Sequence, residues 1–144
     1  MPSETKYDIA KLEWELTQKQ MDKYDDLSAR VKTWAVTLWV ALMGWSWQAN
    51  DHNILLLAAL VAVAFWLLDS VEKNFRQDYA ARRHELAEAL RQYANSEQWP
   101  TNFASPSLPR HRTAPVLRYM LELHVLLVYL PLLVIALALY WLKY

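Results

Sequence analysis

The sequence predicts an all-α membrane protein with three transmembrane helices: a tight N-terminal hairpin, a C-terminal span, and a cytoplasmic helical stalk. Three observations carry that expectation. Two apolar runs lie back to back between Val31 and Ser70, with no formal charge from Thr33 to Trp47 or from Asn53 to Leu68. A third apolar run extends from Leu121 to Leu142. Hydrophobic residues make up 55% of the 144 positions while mean hydropathy sits near zero, so apolar and charged residues are segregated into blocks.

A helix crossing a bilayer needs about 20 mostly apolar residues at a rise of about 1.5 Å each. The first two runs reach that length when their semi-polar ends are counted, with Trp34, Trp45, Trp47 and Trp66 near the water–lipid boundary. The expected division is one membrane domain over 1–144. It comprises an amphipathic helix over 3–30, spans over 31–49 and 53–69, and a helix over 70–94 continuing the second span. A Pro-rich loop over 95–115 and a third span over 116–143 complete it.

Residues Pro2 to Arg30 are charged yet patterned. Tyr7, Ala10, Trp14, Met21, Tyr24 and Val31 keep roughly one face, and Thr5-x-x-Asp8 can cap the start. Acidic residues slightly outnumber basic ones here, whereas helices lying on lipid carry a basic polar face. Packing against another helix is therefore favoured. In the first span Thr37, Ala41, Gly44 and Gln48 share one face, and Gly44 is the only glycine of the chain. Such a row lets backbones approach closely; it can also line a narrow aqueous path. Ala58 and Ala62 of the second span are expected to face it within the hairpin.

No proline or glycine interrupts the chain from Asn53 to Pro100, so one helix is expected from Asn53 to Tyr93. Its far half shows an apolar row, Val71, Phe75, Tyr79, Leu86, Leu90 and Tyr93, suited to the N-terminal helix or to a docking partner. Pro100, Pro106, Pro109 and Pro115 then forbid a helix, with Trp99 and Phe103 available to tuck the loop down. Thr113 and Pro115 suit the start of the last span, and Pro131 suits a kink within it.

Fourteen of the fifteen Lys and Arg residues precede Thr33 or lie between Leu68 and Leu121; Lys143 is the exception. By the positive-inside rule the N-terminus and the 71–115 region lie in the cytoplasm, the hairpin tip and C-terminus outside. Met1 is followed by charged residues, so the hairpin itself is expected to act as the insertion signal.

Little in the sequence points to catalysis, and no enzyme or cofactor is expected. There is no cysteine to form a thiolate site, and one glycine cannot build a phosphate loop. His84-Glu85-x-x-Glu88 lacks the second histidine of a zinc helix. Zero net charge gives no support for nucleic acid as a partner. Arg110-His111-Arg112 forms a small basic patch suited to anionic lipid or a partner's carboxylate. Arg118 and Glu122 stand one turn apart and can pair, with His124 beside them. At the headgroups they would anchor the helix; deeper, Glu122 and His124 would be ionisable groups inside the membrane, where such groups serve function. Asp69 and Glu72 end the second span on the same side and can complete a ring of charge at a pore mouth.

The residues Lys11-Leu12-Glu13-Trp14, Asp25-Asp26-Leu27-Ser28, Lys32-Thr33-Trp34-Ala35-Val36-Thr37-Leu38-Trp39 and the stretch from Asp69 to Arg83 carry a layout. A charged helix leads into a tight membrane hairpin and then a long charged helix. Over residues 5–95 this resembles the small two-transmembrane anti-phage effectors of bacteria, the SLATT type. The resemblance implies an oligomeric inner-membrane effector that forms a pore or perturbs the bilayer. The chain adds a third apolar segment and has no visible nucleotide-sensing domain, so activation is expected to fall to a partner. The alternative is a non-enzymatic anchor that docks a cytoplasmic protein on the membrane through Phe75, Tyr79, Leu86 and Leu90.

Overall fold

A computed structural model describes residues 3–108 and 116–143. Among them all regular structure is helical: α1 (Ser3–Ala49), α2 (Asn53–Ser96), α3 (Val116–Met120) and α4 (Leu123–Lys143). The expected cap at Thr113 and Pro115 and the Arg110-His111-Arg112 patch lie outside the described residues. Two helices, α2 and α4, are long and apolar enough to cross a membrane.

The amphipathic segment over 3–30 and the first expected span over 31–49 belong to one continuous helix. α1 runs unbroken from Ser3, because the change there is one of composition and no proline or glycine stands between Pro2 and Gly44. It ends at Asn50, which takes the left-handed conformation (φ 51°) that asparagine tolerates. Ser46 Oγ donates to Asp51 O (2.9 Å), and Asp51 Oδ1 accepts from Asn53 N (2.9 Å), so side chains close the turn and start α2.

The chain divides into two compact units. The first comprises residues 3–25 and 75–108. Here α1 and α2 pair antiparallel, with Tyr7 against Tyr93 and Tyr24 against Tyr79, each at 5.7 Å between centroids. Ala10, Thr17, Met21, Leu86 and Ala89 fill the seam. Arg76 forks onto Asp25 (2.6 and 3.0 Å), and Arg83 donates to Gln18 (2.7 Å). Arg82 donates to Glu13 (2.9 Å) and to Ala104 O (2.7 Å), while Ser105 Oγ donates to the other oxygen of Glu13. The loop is thus pinned to both helices. Trp99 stacks between Tyr93 (4.6 Å) and Phe103 (5.1 Å), with Lys6 Nζ 5.1 Å from its ring.

The second unit comprises residues 26–74 and 116–143. Trp39, Leu42, Ile54, Ala58, Ala59, Ala62 and Ala136 form one core, and Ala35, Val125 and Tyr129 another, flanked by Phe65 and Trp66. Two indoles tie α4 and α3 to the hairpin: Trp39 Nε1 donates to Leu132 O and Trp66 Nε1 to Met120 O, each at 3.1 Å. The Met120 carbonyl is open to this because α3 ends there.

The last segment is not the single helix expected over 116–143. It breaks at Leu121–Glu122, and Glu122 O accepts the first amides of α4 from Val125 (3.0 Å) and Leu126 (2.9 Å). Pro131 lies inside α4 without ending it.

Candidate functional site

The second unit buries a polar cluster where its apolar segments give way to charged sequence. Ser28 and Lys32 stand one turn apart on α1 and face Asp69 of α2. Ser28 Oγ donates to Asp69 Oδ1, and Lys32 Nζ donates to Ser28 Oγ (2.9 Å) while lying 3.5 Å from Asp69 Oδ2. The ammonium donates to the hydroxyl and the hydroxyl to the carboxylate in a short relay. The Asp69 side chain is wholly buried, whereas Lys32 keeps 26% of its surface. The adjoining Ser70 is also buried and returns its hydroxyl to Trp66 O (2.7 Å).

Glu72 lies three residues beyond Asp69, hence on the same face of α2. Its Oε2 is buried without a hydrogen-bond partner, as is Asp69 Oδ2. Burial pushes the Glu72 carboxyl above its ordinary value, the Asp69 charge pushes it further, and Lys32 opposes both. Lys73 reaches the other way and pairs with Glu122 Oε2 at 3.0 Å. His124 Nε2 lies 3.4 Å from the same oxygen, an ion pair only when the imidazole is protonated. From α4 comes Tyr129, wholly buried, its hydroxyl unpartnered and within the field of Asp69 and Glu72.

Of the charges singled out in sequence, Asp69 and Glu72 share one cluster, and Glu122 and His124 join through Lys73. Arg118 does not. It is exposed on α3, and Glu122 takes Lys73 in its place, because the break at Leu121–Glu122 removes the continuous turn that an Arg118–Glu122 pair needs. Ser28, Lys32, Lys73 and Tyr129 were not candidates. Ser28 and Lys32 carry a signal, since hydroxyl and ammonium share a face leading into an apolar helix, but their partner lies 41 residues from Ser28.

The small-residue row also turns out differently. Thr37, Ala41 and Gly44 are exposed, and a Cβ added at Gly44 would meet nothing within 4 Å. Ala58 and Ala62 are buried, but against the face bearing Trp39 and Leu42. The bulky indole claims the inward side of α1 because its N–H finds Leu132 O there. The docking row is likewise partly consumed: Leu86 is wholly buried in the α1–α2 seam, Leu90 is half-buried, and Tyr79 packs on Tyr24. Phe75 remains 43% exposed.

No family model, curated protein or solved structure matches the chain. His84, Glu85 and Glu88 are exposed along α2, and among the described residues no group of three or more His, Asp or Glu is placed to hold a metal ion.

Proposed function

We propose that the chain is the subunit of an oligomeric membrane effector, crossing a bacterial inner membrane three times and altering its permeability when a partner activates it. One observation carries the membrane part of this reading: the second unit encloses many small and polar residues while leaving many large apolar ones outside. Ala35, Ser46, Ala58, Ala59, Ala62, Asp69, Ser70 and Ala136 are buried, while Trp34, Val40, Leu60, Leu127, Trp141 and Leu142 are more than half exposed. Water would penalise that arrangement heavily and lipid tails would not. Only 17% of the most apolar window of α4 is buried, which does not suit the core helix of a soluble bundle.

Self-association is supported by the outward row Thr37–Ala41–Gly44, small and weakly polar, which the chain's own core leaves uncovered. The layout resemblance to SLATT-type effectors points the same way. In an assembly the carboxylates Asp69, Glu72 and Glu122 would set the potential at the cytoplasmic mouth of a path, as rings of charge do in channels.

Gly44→Leu separates association from folding, because nothing within the chain touches that position. The variant should keep the wild-type melting curve, lose its higher subunit count in detergent, and lose ion flux from liposomes. Glu122→Gln should keep the subunit count and alter the flux. Wild-type oligomers that leave liposomes sealed with the activating partner present would overturn the pore.

A second reading, an anchor that docks a cytoplasmic protein, draws on Leu12 and Leu16. These lie one turn apart on α1 and are 57% and 56% exposed. Sealed liposomes together with a partner lost on Leu12→Glu and Leu16→Glu would favour it.

A further inference from the structure

Asp69 is wholly buried and Glu72 is half-buried with its Oε2 enclosed, and together they carry one charge more than the cation beside them. Lys32 faces Asp69 and Glu72 from α1, giving one cation for two anions, while Lys73 is matched by Glu122. The other titratable groups of the packed elements do not supply the missing cation. On α1, Arg30 is exposed; on α2, Arg76 is taken by Asp25; on α3, Arg118 is exposed; on α4, His124 lies against Glu122 and Tyr129 brings no positive charge. A carboxylate left buried without a counter-charge is strongly disfavoured, and two carboxylates sharing a site relieve this by keeping a proton.

Three oxygens there lack hydrogen-bond partners: Asp69 Oδ2, Glu72 Oε2 and the Tyr129 hydroxyl. They come from two helices, so a local feature of one turn does not explain them. Buried polar atoms of this kind are few in folded proteins, and several together mark a site that takes up a ligand or a proton. We propose that Asp69, Glu72 and Tyr129 form a proton-binding site in which Glu72 carries the proton, while Ser28 and Lys32 engage Asp69 beside it. A hard metal cation fits less well. It gathers six or more oxygens, and no three acidic or His side chains converge among the described residues.

The direction of the Glu72 shift agrees with this placement. Since its folded value is raised, the folded chain holds a proton that the unfolded chain releases. The stabilisation is complete below the ordinary value of 4.5 and is lost as pH rises through the folded value. The site does not depend on conduction, so a sealed bilayer would leave it standing.

Infrared spectra of the full chain in lipid nanodiscs test it, recorded from the ordinary value of 4.5 upward. The expected result is a protonated-carboxyl band that Glu72→Gln removes. Asp69→Asn should move its midpoint to lower pH by withdrawing the like charge. The melting temperature should fall as pH rises in wild type and fall less steeply in Glu72→Gln. A band that survives Glu72→Gln, or carboxylates ionised throughout, would overturn the proposal. So would stability that follows sodium or potassium concentration and not pH, which would make the ligand a metal cation.

Discussion

Lys32→Met should destabilise the second unit by about 3–5 kcal/mol, far more than Asp69→Asn at the other end of the same pair. The asymmetry comes from burial. Asp69 is wholly enclosed, so removing the ammonium strands a carboxylate with only the Ser28 hydroxyl in hydrogen-bond contact. Lys32 is 26% exposed and can swing its ammonium into water when Asp69 is lost. The neutral amide that replaces the carboxylate still accepts from Ser28, so Asp69→Asn should cost only about 1 kcal/mol. The double variant should recover most of the loss, because it removes the stranded charge itself. Thermal melts of the four proteins in one detergent decide the matter. Equal costs for the two single variants would mean that the carboxylate reaches water.

Leu86→Ala should destabilise the first unit by about 2–5 kcal/mol, and Leu86→Glu should separate α1 from α2 there altogether. Leu86 is 0% exposed, and Ala10, Met21 and Ala89 of the same seam are small or already enclosed. Nothing nearby is long enough to refill the gap. Leu12→Glu, on the exposed side of the same pair, should be nearly neutral. Hydrogen exchange over residues 3–25 and 75–96 reports the difference directly: fast exchange in both segments for Leu86→Glu, wild-type protection for Leu12→Glu. Retained protection in Leu86→Glu would show that the seam is held by its ion pairs and aromatic contacts alone.

Much of the helical layout was legible because backbone chemistry is local. The absence of proline and glycine from Asn53 to Pro100 predicted the length of α2 to within three residues of its observed end at Ser96. Tyr7, Tyr24, Tyr79 and Tyr93 recur on the faces expected to pair, and they do pair. What stayed hidden depends on choices between alternatives of similar local merit. Either face of α1 could have turned inward, the small one through Gly44 or the bulky one through Trp39; the acceptor at Leu132, 93 residues away, decided it. Arg118 and Glu122 have ideal helical spacing, yet Lys73 offers Glu122 a partner across the unit and the helix breaks between them.

The candidate site was half visible for the same reason. Asp69 and Glu72 stand out because carboxylates beside an apolar run demand compensation. Their compensating groups, Ser28 and Lys32, lie on another helix at a distance that periodicity cannot supply. Tyr129 sits among leucines and valines, where an aromatic reads as one more apolar residue; only its enclosed, unpartnered hydroxyl sets it apart.

The central claim is that the hairpin and α4 cross the membrane with both ends of the first unit in the cytoplasm. Because the chain has no cysteine, single cysteines can be placed at the exposed positions Glu4, Ala49, Thr101 and Leu142. An impermeant thiol reagent added to intact bacterial cells should label positions 49 and 142 and spare 4 and 101, all four reacting once the cells are opened. Labelling of 101 with 49 protected, or of all four in intact cells, would contradict the three-span arrangement.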